Sequence, residues 1–339
     1  MTLREGELIH SRYRLLRALG KGTSGSVWAA RNELIEREVA LKVMDPQVMS
    51  NRVLLQRFFN EAKAIGRVNH PSIVDILDLG QAEDGSPFLV LELLDGEPLD
   101  AKLRRDGVLD PETLFDVCAP VAQALGLAHQ QGIVHRDLKP ANIFLHRTAT
   151  GQLVGKILDF GISKVQSASS TNFSLTKTGT VVGSPAYMSP EQAAGREDLD
   201  GRADVWSLGV VLHEALTGVL PHEAPNYNAL MVRILTHDVA PIRQRRPDVP
   251  PVVGNIVDRC LQRSRDKRPT AQELSALMQD AVRVLRAERF KRTGGRRLGD
   301  HASRQRTADA ALWRTVAVGA LSGLVTGLIV VIVGYYLLR

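Results

Sequence analysis

The sequence predicts an α+β fold: a small strand-rich N-terminal part, a larger helical C-terminal part, then a basic linker and one membrane-spanning helix. Three observations predict it. Strand-patterned segments fall before residue 95, helix-patterned segments dominate from Pro111 onward, and residues 315–338 contain no charged side chain. The 339 residues are 44% hydrophobic and 24% charged, which is enough apolar material for a large core in one or two domains. Cys118 and Cys260 are the two cysteines, too few for a disulfide framework; they read as buried core thiols in a reducing compartment. The polar start, Met1 to His10, has no apolar run of the signal-peptide kind.

The charge is unevenly placed. Residues 283–314 carry ten Lys/Arg against three Asp/Glu, and Arg339 adds one more positive charge. With a total of +6, residues 1–282 are left at about −2. The basic character therefore belongs to the segment beside the apolar tail, which argues against nucleic acid as a partner and for an anionic membrane surface.

The elements follow in order. Tyr13 to Leu19 reads as a strand, followed by the loop Gly20-Lys21-Gly22-Thr23-Ser24-Gly25 and by Ser26 and a second strand from Val27 to Ala30. A G-x-G-x-x-G loop can also be a dinucleotide-binding turn, but that turn opens a helix, whereas this loop leads into a strand. Glycines there bring backbone N–H groups close to phosphates. Glu38 to Met44 alternates as a strand with Ala40 and Lys42 on one face. Arg52 to Val68 has helical spacing. Ile73 to Leu79 and Phe88 to Leu91 read as strands around an Asp84-Gly85 turn. Pro111 to Gln131 is a long apolar-periodic helix with Gly132 as its stop. Further helices are expected at Ala203–Thr217, Tyr227–Thr236, Pro251–Gln262 and Thr270–Arg286.

The chemistry concentrates in His135-Arg136-Asp137-Leu138-Lys139-Pro140-Ala141-Asn142. Phosphoryl transfer from ATP needs a base for the attacking hydroxyl, a cation for the moving phosphate and an oxygen for a metal. Asp137, Lys139 and Asn142 are those chemistries, and Asp159-Phe160-Gly161, seventeen residues after Asn142, adds a second metal ligand.

In these motifs, their order and their spacing, the chain resembles the serine/threonine protein kinases over about residues 13–286, four-fifths of its length. Gly183-Ser184-Pro185-Ala186-Tyr187-Met188-Ser189-Pro190-Glu191-Gln192-Ala193 looks like the bacterial members. The resemblance implies a two-lobed kinase fold that uses ATP and Mg²⁺, with Mn²⁺ as an alternative, and acts on Ser/Thr hydroxyls of proteins. It implies that Gly20, Lys21, Gly22, Thr23, Ser24, Gly25 and Ser26 cover the phosphates, and that Val27 and Ala40 sandwich the adenine. Lys42 would hold the α- and β-phosphates and pair with Glu61 when its helix swings inward. Leu91 would guard the back of the pocket. Glu92, Leu93 and Leu94 would form the link between lobes, with backbone groups of Glu92 and Leu94 bonding adenine. His135 takes a packing role against Phe160, and Arg136 awaits an activation-loop phosphate. Lys139 matches serine/threonine rather than tyrosine kinases, and Ser184 stands where the family usually has Thr. A structural pair joins Glu191 and Arg268, and Asp204 braces the catalytic loop. Residues 162–182 form the activation segment, with Thr176 and Thr178 as the expected phosphosites and Thr180 as a weaker candidate.

Residues 287–314 read as a basic juxtamembrane linker. The 24 uncharged residues from Thr315 to Leu338 are enough to span about 30 Å of hydrocarbon, with Trp313, Tyr335 and Tyr336 near the ends as interfacial aromatics. Positive charge on the N-terminal side places the catalytic part in the cytoplasm, anchored by a single pass in the cell membrane and without an outer sensor of its own. Gly319, Gly323 and Gly327 recur every four residues, a spacing that lets two membrane helices pair, so a homodimer through this helix and the kinase domain is expected. Two rival functions are less favoured. A pseudokinase scaffold would normally have lost Lys42, Asp137, Asn142 or Asp159, and a small-molecule phosphotransferase would lack the Ser-Pro-Glu segment.

Overall fold

The computed structural model describes residues 3–22, 25–44, 52–160 and 184–291. Thr23, Ser24, Gly161, Thr176, Thr178, Thr180, most of the linker and the expected membrane helix lie outside the described residues. Among the described residues no helix is long and apolar enough to cross a membrane. The chain divides into two compact units, residues 1–282 and 283–339.

The N-terminal part is a six-stranded antiparallel sheet in the order β1-β2-β3-β4-β6-β5. Its strands are β1 (Leu8–Ile9), β2 (Tyr13–Gly22), β3 (Gly25–Asn32), β4 (Arg37–Met44), β5 (Ile76–Gln81) and β6 (Pro87–Glu92). β4 is buried on both faces, and its alternation divides two cores. Val39, Leu41 and Val43 join Tyr13, Leu15, Ala30, Phe88 and Val90. Met44, on the opposite face, meets Leu89 and the helix residues Phe58 and Ala62. That helix, α1, runs Arg52–Ile65, three residues shorter than expected at its C-terminal end. The backbone N–H groups of Gly66 and Val68 cap its end by bonding Ala62 and Ile65 carbonyls at 2.9 Å.

The strand expected at Ile73–Leu79 starts later, at Ile76. Ile73 instead makes an isolated parallel bridge to Ile157. The Ile157 N–H bonds Ser72 O at 2.8 Å, and Val74 N–H bonds Ile157 O at 3.2 Å. Those peptide groups are thereby committed to another strand.

The C-terminal part is helical around one small sheet. α2 (Leu99–Asp106) precedes α3 (Pro111–Gln130), which begins with Asp110 accepting the Thr113 N–H at 2.9 Å and Pro111 at the first helical position. α4 (Pro190–Ala193), α5 (Arg202–Thr217), α6 (Tyr227–Thr236), α7 (Ile242–Arg245) and α8 (Pro251–Cys260) follow. α8 stops two residues short of the expected Gln262, and the last helix, α9, covers 271–291 and outruns the expected Arg286. Almost every side chain of α5 is buried, which makes it the central post of this lobe. Both cysteines are buried and unpaired, and burial pushes their thiols up to about 12.

The small sheet positions the chemistry. β7 (Gly96–Pro98), β8 (Ile143–Arg147) and β9 (Leu153–Ile157) pair antiparallel. Gly155 on β9 faces α3 so closely that a Cβ there would lie 2.7 Å from the Val117 carbonyl. β8 starts directly after Asn142 and β9 ends two residues before Asp159.

Candidate active site

The site lies where the glycine hairpin, β4, the segment after β6 and the loop from His135 to Asn142 converge. β2 and β3 fold the glycine loop into a hairpin, with Gly20 opposite Val27, Lys21 opposite Ser26 and Gly22 opposite Gly25. Gly25 has φ +143°, and a Cβ there would meet the Val43 carbonyl at 2.1 Å, so this position requires glycine. Across the next ladder Val27 faces Lys42, and in the following one Ala40 faces Leu91. Leu91 packs against the cluster of Met44, Phe58, Ala62 and Leu89.

At the end of β6, the Glu92 N–H bonds the Asp75 carbonyl at 3.1 Å and its carboxylate accepts the Asp75 N–H at 2.9 Å. The same carboxylate forms an ion pair with Lys156 of β9. Leu94 follows within the connecting segment and is partly buried.

Lys42 is buried, with 6% of its side chain exposed, and it forms an ion pair with Asp159. The pair with Glu61 is expected only when α1 swings inward; in this structure Lys42 is paired with Asp159. Glu61 lies on α1 with its side chain partly buried. The physical reason is competition, since a buried ammonium takes the carboxylate that reaches it, and here the Asp159 carboxylate does.

The loop carrying Asp137 is built from inside outward. Asp204, near the start of α5, is fully buried and accepts three bonds, each at 2.8 Å: from His135 N–H, Arg136 N–H and His129 Nε2. Burial pushes its carboxyl up, but the bond and charge of His129, with the His135 contacts, outweigh this and hold it below the usual carboxylate range. His135 is buried against Phe160, ring centroids 4.9 Å apart. Its Nε2 bonds the Leu158 carbonyl at 3.0 Å, and its Nδ1 accepts the Asp137 N–H at 3.3 Å. These bonds make His135 a brace.

Two side chains meet at Asp137. Lys139 Nζ donates to Asp137 Oδ2 at 2.8 Å. Asn142 Nδ2 donates to the Asp137 carbonyl at 2.7 Å and to Oδ2 at 3.3 Å. The Asn142 amide nitrogen is thus engaged by Asp137, which leaves its Oδ1 as the atom that could hold a cation. Leu158 N–H bonds the Asn142 carbonyl at 2.8 Å, and the β8–β9 register pairs Ile143 with Ile157. The two expected metal ligands are therefore tied together by one hairpin. Their donor set, a carboxamide oxygen and a carboxylate, fits Mg²⁺, which typically takes one or two carboxylates and completes its shell with water and phosphates. Among the described residues no group of three or more His, Cys, Asp or Glu side chains is placed to hold a metal ion.

A cavity of about 560 Å³ opens beside this loop, lined by Lys139, Pro140, Ala141, Tyr187, Asp100 and Glu214 among others. The Tyr187 hydroxyl donates to Glu214 at 2.6 Å. Burial pushes both groups up from their ordinary values.

Glu191 and Arg268 form the deepest ion pair, bidentate at 2.6 and 2.9 Å. The Arg268 guanidinium also donates to the carbonyls of Gln262, Arg202 and Arg263 at 2.7, 3.0 and 3.0 Å and lies 5.0 Å over the Trp206 ring. Three residues of the site were not singled out in the sequence. Lys156 could not have been, because a lysine on a short strand carries no distinguishing signal. His129 hides in the periodic pattern of α3. Gln192 was within reach, since Ser189-x-x-Gln192 is a capping-box spacing.

Comparison with known proteins places this geometry. The protein kinase domain family matches residues 13–278. The serine/threonine-protein kinase pkn3 of Myxococcus xanthus is 37% identical over 270 residues, covering 79% of this chain and 49% of the relative. Serine/threonine-protein kinase PknA of Mycobacterium tuberculosis is 36% identical over 294 residues, covering 85% of this chain and 64% of the relative. The chain thus spans about half to two-thirds of the length of these relatives. The crystal structure of the M. tuberculosis PknI kinase domain superposes with a TM-score of 0.63 at 25% identity, over 83% of this chain and 99% of that domain.

Proposed function

This chain belongs to the protein kinase family, and from that premise we propose that it is a serine/threonine protein kinase, moving the γ-phosphate of ATP to Ser and Thr hydroxyls of proteins. One observation carries the reading: Asp137, Lys139 and Asn142 form a single hydrogen-bonded cluster on a loop pinned by the buried Asp204. Asp137 accepts the hydroxyl proton as the new O–P bond forms. Lys139, already within bonding distance of that carboxylate, offsets the charge developing on the phosphoryl group. Lys42 sits under the glycine hairpin, opposite Val27, where it can hold the α- and β-phosphates. Mg²⁺ or Mn²⁺, held by Asn142 and Asp159, would supply charge neutralisation of the phosphates when bound. The cavity beside Lys139 favours a polypeptide acceptor over a small one, because it extends the site beyond the base.

The finer reading continues from the sequence. Phosphorylation of Thr176 or Thr178, by another copy of the chain, activates the kinase by adding negative charge that Arg136 can pair with. Residues 315–338 anchor it in the cell membrane with residues 13–286 in the cytoplasm, and Gly319, Gly323 and Gly327 pair two copies. The direct test is incubation of the protein with Mg²⁺, [γ-³²P]ATP and casein, with phosphosites mapped by mass spectrometry. Absence of label on casein and on the chain itself refutes the activity. A Gly323→Ile, Gly327→Ile variant that associates in membranes as well as wild type refutes the dimer.

A further inference from the structure

We propose that Gln192 is a positioning residue for phosphate transfer: its side-chain amide fixes the Arg136–Asp137 peptide and thereby aims the Asp137 carboxylate. This rests on the reading of Asp137 as the base.

Arg136 has φ +64°, in the left-handed region that side-chain-bearing residues rarely occupy. Such a backbone persists only where its surroundings hold it. Two side chains from different helices do so. The Arg136 N–H donates to Asp204 Oδ1 of α5 at 2.8 Å, and the Arg136 carbonyl accepts from Gln192 Nε2 of α4 at 2.8 Å. The next N–H along the chain, that of Asp137, donates to His135 Nδ1 at 3.3 Å. The peptide joining Arg136 to Asp137 is therefore gripped at its carbonyl by Gln192 and at its N–H by His135. Turning that peptide plane would swing the Asp137 Cα–Cβ bond away from Lys139 and Asn142.

Gln192 is itself held in one orientation. Its Oε1 accepts the Ser189 N–H at 3.1 Å, while Ser189 Oγ accepts the Gln192 N–H at 3.3 Å. That is a capping box, and glutamate satisfies its acceptor half as well as glutamine does. Only an amide can accept from Ser189 and donate to Arg136 together. The adjacent residue, Glu191, is locked to Arg268, so the support beneath Gln192 is rigid. The choice of glutamine over glutamate thus serves the catalytic loop rather than the helix.

The test compares Gln192→Glu and Gln192→Lys in the full chain, each pre-incubated identically with Mg·ATP and assayed with casein as acceptor. Turnover at saturating ATP, KM for ATP and melting temperature are all read. Glutamate keeps the cap but loses the donor, so turnover should fall about tenfold, the worth of one hydrogen bond, with little change in melting temperature or KM. Lysine keeps a donor but loses the cap acceptor, so it should melt lower yet turn over faster than the glutamate variant. A purely structural role predicts the reverse order. Wild-type turnover in Gln192→Glu overturns the proposal, as does equal loss of turnover and melting temperature in both variants. If wild type itself labels neither casein nor itself, the kinase reading fails, and this inference falls with it.

Discussion

Replacing Arg268 by Met should destabilise the C-terminal lobe more than any other single surface-remote charge change. The Arg268 side chain is 0% exposed and Glu191 is 6% exposed, so removing the guanidinium leaves a buried carboxylate without a counter-charge. Breaking a buried pair in this way costs about 3–5 kcal/mol. The carbonyls of Gln262, Arg202 and Arg263 lose their donors too, at about 1 kcal/mol each where water cannot replace them. The two effects overlap, so a total of about 4–6 kcal/mol is expected, a large share of the roughly 5–15 kcal/mol typical of a domain. At about 2–4 °C per kcal/mol, melting by calorimetry should drop by about 10–20 °C. Adding Glu191→Gln to Arg268→Met should recover part of the loss, because the uncompensated charge is gone. The pH dependence follows from Glu191. Burial pushes its carboxyl up, but the bonds and charge of Arg268 outweigh burial and hold it below the usual range. A depressed carboxyl contributes stability that is full above its unfolded value and is lost as pH falls through the folded value. In Arg268→Met the main opposing influence is gone and burial weighs against only the remaining backbone and Ser189 bonds, so the gap between variant and wild type should narrow on acidification through the carboxylate range. A drop under about 3 °C, or a gap that widens in acid, would refute this account.

Asp137→Asn and Lys42→Met should each lower casein phosphorylation by about 10²–10⁴-fold while circular dichroism and melting stay near wild type. Asp159→Ala should make ATP affinity insensitive to Mg²⁺ by titration calorimetry; an unchanged Mg²⁺ response counts against Asp159 as a metal ligand. Asp204→Asn replaces one of the two acceptor oxygens by a donor, so at least one of the His135 and Arg136 N–H groups or His129 loses its partner. Hydrogen exchange at those two amides should quicken and turnover should fall, and protection equal to wild type speaks against the brace. The Thr176→Ala, Thr178→Ala variant, purified without prior phosphate, should show a long lag or low plateau in autophosphorylation; full activity excludes these two sites as the switch.

The parts legible in the sequence share a physical trait: they are local. The strands around Gly20–Gly25, the helices at Tyr227–Thr236 and Pro111–Gln130, and the Asp137, Lys139 and Asn142 spacing depend on short-range periodicity or on one loop. The illegible parts depend on which distant groups meet. The sequence predicts Ile73 at the start of a strand, yet its peptide neighbours bond Ile157, a residue 84 positions away. Lys42 has two carboxylates within its motif set, and which one it takes depends on the placement of α1, not on either residue's identity. Lys156 and Glu92 pair across 64 positions for the same reason.

Gly155 illustrates how far from the chemistry the site's dimensions are decided. The absent side chain lets β9 lie against the backbone of α3, and the β8–β9 register carries that depth to both strand ends. Asn142, just before β8, and Asp159, just past β9, both stand at the hairpin's open end, where Ile143 pairs with Ile157. The spacing between these two side chains is therefore a packing tolerance, set by a helix–strand contact that touches neither of them. A methyl group at 155 would lift β9 from α3 and tilt the hairpin, so the mismatch would be felt at that open end, between Asn142 and Asp159. Any ion preference of a site formed by Asn142 and Asp159 would in that sense be inherited from the hydrophobic core.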